Sequence, residues 1–394
     1  MNGDRVDRGA DRFRVPQAAG PARAVIADRP GRAALQAVGA AVAAGLCFRV
    51  GGDGLPAPET RAGLPMFETL TSGTSGTPRR IRRSQASWIA SFAVNAGLFG
   101  IGPGVRVAVL GRLSQSLALY GAVEALHLGA GLALLDGLRP DRQRAALAGA
   151  GVLYATPTQL RLLIEAGGPP LTDLRFVLVG GAALDAATRA GVAAICPAAA
   201  IREFYGAAEA SFVTLADGDA PEGSVGRVYP GVSLCLRDAA GAAVAEGQRG
   251  QIWLRSPYVF QGYGVPEPGG AEWRDGWLTV GEWGWLRDGY LHLAGRAGRM
   301  VTVADENVFP EEIEIFLAGL PGVARVAVLP RPDPRRGHVL DAVLLGDPAQ
   351  GPAILAAARA RFGPLKAPRC LHWRGDWPLL PSGKTDLAAL AAGL

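Results

Sequence analysis

Thr71-Ser72-Gly73-Thr74-Ser75-Gly76-Thr77-Pro78-Arg79 is the stretch on which the reading of this chain turns. Its two glycines let the backbone approach a ligand closely. Its five hydroxyl side chains add donors beside the backbone N–H groups, so the segment can cradle a polyphosphate. Arg79 and Arg80 bring positive charge at its end. A flexible linker has a similar Ser/Thr/Gly composition, but a linker rarely ends in Pro-Arg-Arg and runs straight into a helical pattern, here over residues 84–98. The segment is not a Walker A loop, because Gly-Lys-Ser/Thr is absent.

Around this loop, short apolar runs alternate with helical patterns. Residues 105–110, 131–135, 152–155, 176–179 and 201–204 read as strands, and 117–128 and 158–165 as helices. The alternation implies an α/β fold with a doubly wound sheet. After about Thr214 the pattern shifts to short strands at 232–237, 251–254, 277–279 and 290–293, separated by Gly, Pro and Asp, which read as a small β subdomain. After Gly295 it shifts again. Helices at 311–318 and 353–362 with strands at 323–329 and 341–345 form an α+β unit. The expected organisation is a loose N-terminus at 1–24 and a large N-terminal core at 25–295 that includes the β-rich subdomain at about 215–295. A small mobile C-terminal α+β domain at 296–394 follows, with its hinge near Gly298, since glycine tolerates large φ/ψ changes.

Composition narrows the function classes. Of 394 residues, 49% are hydrophobic, which is ample for a core, and 19% are charged, too few for a disordered chain. Lys+Arg 40 against Asp+Glu 35 is nearly balanced. The basic clusters at Arg79, Arg80, Arg82 and Arg83 and at Arg331, Arg335 and Arg336 are short and not interleaved with aromatics, which argues against nucleic-acid binding. Phosphate on a small ligand would account for both. Cys47, Cys196, Cys235 and Cys370 show no CxxC spacing and the four histidines no zinc pattern, so reduced, intracellular thiols are expected. The N-terminus alternates acids and arginines without an apolar run, unlike a secretory signal. The apolar stretch at 34–46 is too short to span a bilayer. The expectation is a cytoplasmic protein.

Further along stand Gly180-Gly181-Ala182-Ala183, Tyr205-Gly206-Ala207-Ala208-Glu209, Thr279-Val280-Gly281-Glu282, Gly295-Arg296, Asn307-Val308-Phe309-Pro310-Glu311-Glu312-Ile313-Glu314 and Pro378-Leu379-Leu380-Pro381-Ser382-Gly383-Lys384. With the 71–79 loop, these resemble, in order, the motifs of the adenylate-forming (AMP-binding) superfamily of acyl- and aryl-CoA synthetases, non-ribosomal peptide adenylation domains and luciferases. The resemblance implies that Thr71, Ser72, Gly73, Ser75, Gly76 and Thr77 contact ATP phosphates while Thr74 and Arg79 organise charge in the reaction. It implies that Gly181 and Ala182 lie along the adenine, that Tyr205 and Gly206 meet the base, and that Glu209 helps hold Mg²⁺. Glu282 would bind the ribose hydroxyls and Arg296 the ribose and phosphate side. Lys384 would bridge the substrate carboxylate and the α-phosphate. It is one of two lysines in a chain otherwise served by arginine, and a fixed ammonium there stabilises charge in the transition state.

The chain also departs from the pattern. Arg79 stands where the family has Lys, Ala208 where it has Thr, Glu282 where it has Asp, and Thr302 and Asp305 where Lys and Gly are frequent. About 70 residues precede the phosphate loop, so the N-terminal portion is expected to be reduced. The resemblance implies a ligase that makes an acyl-AMP and transfers the acyl group to CoA or carrier-protein phosphopantetheine, with an aryl or short apolar acid as substrate. A ligase serving only an acyl carrier protein is the alternative. A catalytically silent scaffold relative is a third reading.

Overall fold

The computed structural model describes residues 11–16, 21–61, 63–71, 79–265, 270–304, 306–380 and 385–394. The chain divides into two units. One comprises Met1–Ala220, Val225–Ser233 and Arg255–Gly270, the other Pro221–Ser224, Leu234–Leu254 and Ala271–Leu394.

In the first unit, β1 (Val25–Ile26), β2 (Phe48–Val50), β3 (Met66–Thr71) and β4 (Arg79–Ser84) form a small sheet. The pairs β1–β2 and β2–β3 are parallel and β3–β4 antiparallel; the short strand Gly262–Tyr263 closes the sheet against β4. The larger sheet runs β6 (Gly131–Leu134), β5 (Arg106–Val109), β7 (Val152–Ala155), β8 (Phe176–Val179) and β9 (Ala200–Ala207), all parallel, with β10 (Ser211–Ala216) antiparallel to β9. Side chains alternate across its faces, as strand geometry requires. Val107, Val109, Val152, Tyr154 and Leu178 enter one core with Trp88, Phe92 and Phe99 of α2 (Gln85–Phe99) and Leu119 and Val123 of α3 (Ser116–His127). Ala108, Leu153, Val177 and Val179 enter another with Leu160 and Leu163 of α5 (Pro157–Glu165) and Val192 of α6 (Ala186–Ile195). Both faces are therefore wound by helices, and the strands read as near-continuous apolar runs for that reason.

Local signals set the helix ends. Thr156 and Gln159 form a capping box at α5, with Pro157 at the first helical position, and Gly100 ends α2 with φ +63°. Correcting the sequence reading, no helix follows the 71–79 loop directly. β4 intervenes, because its residues are buried on both faces and pair with β3 along its whole length.

A polar cluster sits inside the first core. Glu124 of α3 accepts hydrogen bonds from the Tyr154 hydroxyl at 2.6 Å and the Asn95 amide at 2.8 Å. The Tyr229 hydroxyl donates to Asn95 Oδ1 at 2.6 Å, and Tyr120 lies 2.7 Å from Ser91 Oγ. Burial pushes the Glu124 carboxyl up to about 7.

In the second unit, strands Trp277–Thr279, Gly250–Arg255, Glu282–Arg287 and Tyr290–Arg296 pair antiparallel. A second sheet orders Glu306–Val308, Val301–Val303, Gly337–Gly346 and Val323–Asp333, with Leu371–Trp373 parallel to Gly337–Gly346. Ala342 and Leu344 pack on one face with Ile313 and Leu317 of α7 (Pro310–Ala318) and Ile354 and Ala358 of α8 (Gly351–Lys366). Val343, Ala327 and Leu329 pack on the other with Leu390 of α9 (Leu387–Ala391). All four cysteines are free, and among the described residues no helix is long and apolar enough to cross a membrane.

Candidate active site

β3 ends at Thr71 and β4 begins at Arg79, opposite each other in antiparallel register. Ser72, Gly73, Thr74, Ser75, Gly76 and Thr77 lie outside the described residues. The strands flanking them are fixed by Glu68, which is fully buried. It accepts two hydrogen bonds from Arg80, at 2.8 and 2.9 Å, and one from Arg49 at 2.9 Å, and Arg82 lies at 3.5 Å. Arg49 spends further donors on the carbonyls of Gly51, Gly52, Leu55 and Pro56.

This network corrects the reading of Arg80, Arg82 and Arg83 as phosphate ligands. Arg80 and Arg82 face a buried carboxylate, and Arg83 is itself buried. Arg83 donates to the Ala208 carbonyl at 3.0 Å, to the Tyr258 carbonyl and to the Ser211 hydroxyl. Desolvation pulls its pKa down to about 9, against the opposing charge of Glu209.

Those contacts order the turn that carries Glu209. β9 pairs with β8 as far as Val179↔Glu203 and then continues through Phe204, Tyr205 and Gly206 beside β10. Tyr205 is half-buried there. A Cβ on Gly206 would lie 2.1 Å from the Ser211 carbonyl oxygen, so only glycine fits. Glu209 Oε1 accepts the Tyr263 hydroxyl at 2.9 Å, and the Glu209 carbonyl accepts the Phe260 N–H at 2.7 Å. The carboxylate is a hard oxygen donor held by Tyr263 on a main chain held by Phe260, which suits Mg²⁺. Beside it, the turn after β8 brings Gly180 against the Phe204 ring, 2.2 Å from where a Cβ would sit. Gly181 follows with φ +91°, and Gly181 and Ala182 are exposed. This turn stands outside the carboxyl ends of parallel strands, where open α/β sheets take their ligands.

In the second unit, Glu282 and Arg296 face each other across paired strands, with Arg296 Nε 3.1 Å from Glu282 Oε1. Glu282 is mostly buried and Arg296 half exposed. Gly298 lies in a short 3₁₀ turn, Ala297–Arg299, where among the described residues a Cβ would project into open space. Arg299 pairs in a fork with Glu314 at 2.8 and 3.0 Å and donates to the Val328 carbonyl at 3.0 Å. Thr302 is exposed on its strand opposite Asn307. Asp305 and Lys384 lie outside the described residues. The residues flanking Lys384 are tied: Leu379 bridges Thr385, and Trp377 Nε1 donates to Thr385 Oγ1 at 3.0 Å. The other lysine, Lys366, is engaged with Glu306.

Sequence reasoning missed Arg83 and Tyr263 as the groups that position Glu209. The sequence offered no signal for either role: Arg83 reads there as one of a basic cluster that phosphate on a small ligand would explain.

Comparison with known proteins decides the family. The AMP-binding enzyme family model matches residues 17–264, and the AMP-binding enzyme C-terminal domain matches 312–384. The chain belongs to the AMP-binding enzyme family. This AMP-binding enzyme is 32% identical over 335 residues to YhfT of Bacillus subtilis, named an uncharacterized acyl–CoA ligase, covering 84% of this chain and 68% of YhfT. It is 29% identical to the fatty acid–[acyl-carrier-protein] ligase ScoC of Streptomyces coeruleorubidus, covering 81% of this chain and 66% of ScoC. Among solved structures it superposes on the amide bond synthetase McbA of Marinactinospora thermotolerans with a TM-score of 0.74 and 27% identity, covering 87% of this chain and 72% of McbA. The chain thus spans about two thirds of the length of these curated relatives, and it has the adenylate-forming ligase fold.

Proposed function

We propose that this AMP-binding enzyme activates a carboxylic acid with ATP. A carboxylate oxygen attacks the α-phosphorus, the bond to the β-phosphate oxygen breaks, and pyrophosphate leaves with the electron pair. A thiol then attacks the acyl carbon of the acyl-AMP, losing its proton and expelling AMP. The observation that carries this reading is the Glu209 carboxylate, held by Tyr263 and backed by Arg83, in a turn whose strand also bears Tyr205. Glu209 would hold Mg²⁺, which neutralises phosphate charge when bound. Tyr205 stacks on the base, Gly181 and Ala182 line it, and Glu282 and Arg296 serve the ribose and phosphate side. The 71–77 hydroxyls and Arg79 take the phosphates, with Thr74 and Lys384 stabilising developing charge.

The domain organisation proposed with this mechanism is a core at 25–295 and a lid at 296–394 turning about Gly298. The apolar pair Phe204 and Phe212, tilted by 43° with ring centroids 4.4 Å apart, supports an aryl or short apolar acid. Location in the cytoplasm goes with the same reading. Likeness to ScoC supports a second one, in which an acyl carrier protein is the sole acceptor.

Lys384→Ala tests the mechanism. Acid-dependent pyrophosphate release should fall by roughly 10²-fold or more, as for loss of a charge-stabilising group, while thioester formation from supplied acyl-AMP changes little. Equal loss in both half-reactions would remove Lys384 from the first step. Supplying CoA or a phosphopantetheinylated carrier protein in turn separates the two acceptor readings.

A further inference from the structure

On the α9 face of the C-terminal sheet, three side chains outside the adenylation motifs converge. Asp341 lies on strand Gly337–Gly346. Cys370 and His372 lie just before and within the parallel strand Leu371–Trp373, whose register pairs Ala342 with Leu371 and Val343 with His372. Alternation therefore sends Asp341, Cys370 and His372 to one face, the face where Val343 meets Leu390. Leu371 and Trp373 pack on the opposite face. The Asp341 carboxylate, Cys370 Sγ and a His372 ring nitrogen lie within 4.8 Å of one another.

Two of these groups lack the partners that burial demands. The Asp341 side chain is 5% exposed. Its Oδ2 takes Arg331 Nε at 2.9 Å, yet among the described residues its Oδ1 is buried without a hydrogen bond; His372 Nε2, on a half-exposed ring, is likewise without a hydrogen bond and stands 3.7 Å from Asp341 Oδ2. A buried polar atom left unpaired costs about 1–3 kcal/mol, so two of them on one face call for an occupant. We propose that Asp341, Cys370 and His372 form a site for a divalent transition ion of the zinc class.

The donor set argues for that class. A thiolate and an imidazole exclude Mg²⁺ and Ca²⁺, which take oxygen, and favour Zn²⁺ or Co²⁺. Tetrahedral ligands stand roughly 3.5 Å apart around such an ion, so the side chains close in modestly on binding. Thiolate and carboxylate together balance the 2+ charge, and Arg331 on Asp341 Oδ2, the oxygen 3.7 Å from His372 Nε2, orients the carboxylate and leaves Oδ1 to the ion. Three protein ligands leave a fourth position to water or another donor. Occupancy would tie the edge strand Leu371–Trp373 to its neighbour beside the segment that flanks Lys384.

The test uses the full chain, stripped with chelator and titrated with Co²⁺ alone. The expected result is about one ion per chain with intense visible bands and a near-ultraviolet thiolate-to-cobalt band, displaced by Zn²⁺. Cys370→Ser should abolish the thiolate band and His372→Ala should weaken binding at least ~10-fold, by analogy with the loss of supporting groups at metal sites. Cys235→Ser should change neither. Zn²⁺ should raise the unfolding temperature of the wild type and not of Cys370→Ser. Co²⁺ with oxygen-only spectra, or the same band in wild type and Cys370→Ser, overturns the proposal and leaves the two orphan atoms to water. Cobalt at the Glu209 site would show no thiolate band, so the two sites are distinguishable.

Discussion

At the scale of single residues, motif position and chemical role do not coincide. Glu209 stands out in the sequence as a candidate because a carboxylate four residues after Tyr205 falls in register with a recognisable string. Arg83 was not, since a basic run reads alike whether it faces solvent or is sealed under a turn. The structure separates them. Glu209→Gln keeps the shape and the Tyr263 contact but removes the charge, so Mg²⁺-dependent pyrophosphate release should drop by about 10²-fold with unfolding temperature nearly unchanged; an active variant would take the metal away from Glu209. Arg83→Met should do the opposite. It removes the donor to the buried Ala208 carbonyl, while Ser211 Oγ still donates to the Tyr258 carbonyl at 3.1 Å, and a buried acceptor left unpaired costs about 1–3 kcal/mol. Chemical denaturation reads that directly, and a stability within about 1 kcal/mol of wild type would contradict the role given to Arg83.

At the scale of elements, strands and helices were read well where apolar periodicity is strong, as in β5, β7, β8 and α3. They were read short where pairing, not composition, sets length: Val323–Asp333 and Gly337–Gly346 extend several residues past their apolar centres because their outer residues still find ladder partners. The strand β4 escaped notice because RRIRRS has Ile81 as its one apolar residue among arginines; it exists through pairing with β3 and the Glu68 ion network. The join of α2, α3 and β7 through Glu124 was also invisible, since Asn95, Glu124 and Tyr154 are far apart in sequence. It makes a pH prediction. The folded pKa is raised from 4.5 to about 7. The folded state therefore holds a proton that the unfolded state has lost, and this contribution is full below about pH 4.5 and is lost as pH rises through about 7. The loss amounts to about 3 kcal/mol. Glu124→Gln cannot titrate, so the stability of wild type relative to the variant should fall across that window; parallel curves from about pH 4.5 to about pH 8 would contradict the assignment.

At the scale of the whole molecule, the doubly wound sheet and the α+β C-terminal sheet were legible because alternation of strand and helix survives in a single sequence. What sequence could not give is which groups are structural. Arg80, Arg82 and Arg83 are, and the proposed chemistry rests on the Glu209 turn. That chemistry, ATP-dependent activation of a carboxylic acid, is tested most directly by acid-dependent pyrophosphate release with ATP and Mg²⁺, across a panel of aryl and short apolar acids, with no thiol present. The account predicts release with one acid class and none without acid. Nucleotide binding with no release for any acid in the panel would contradict it.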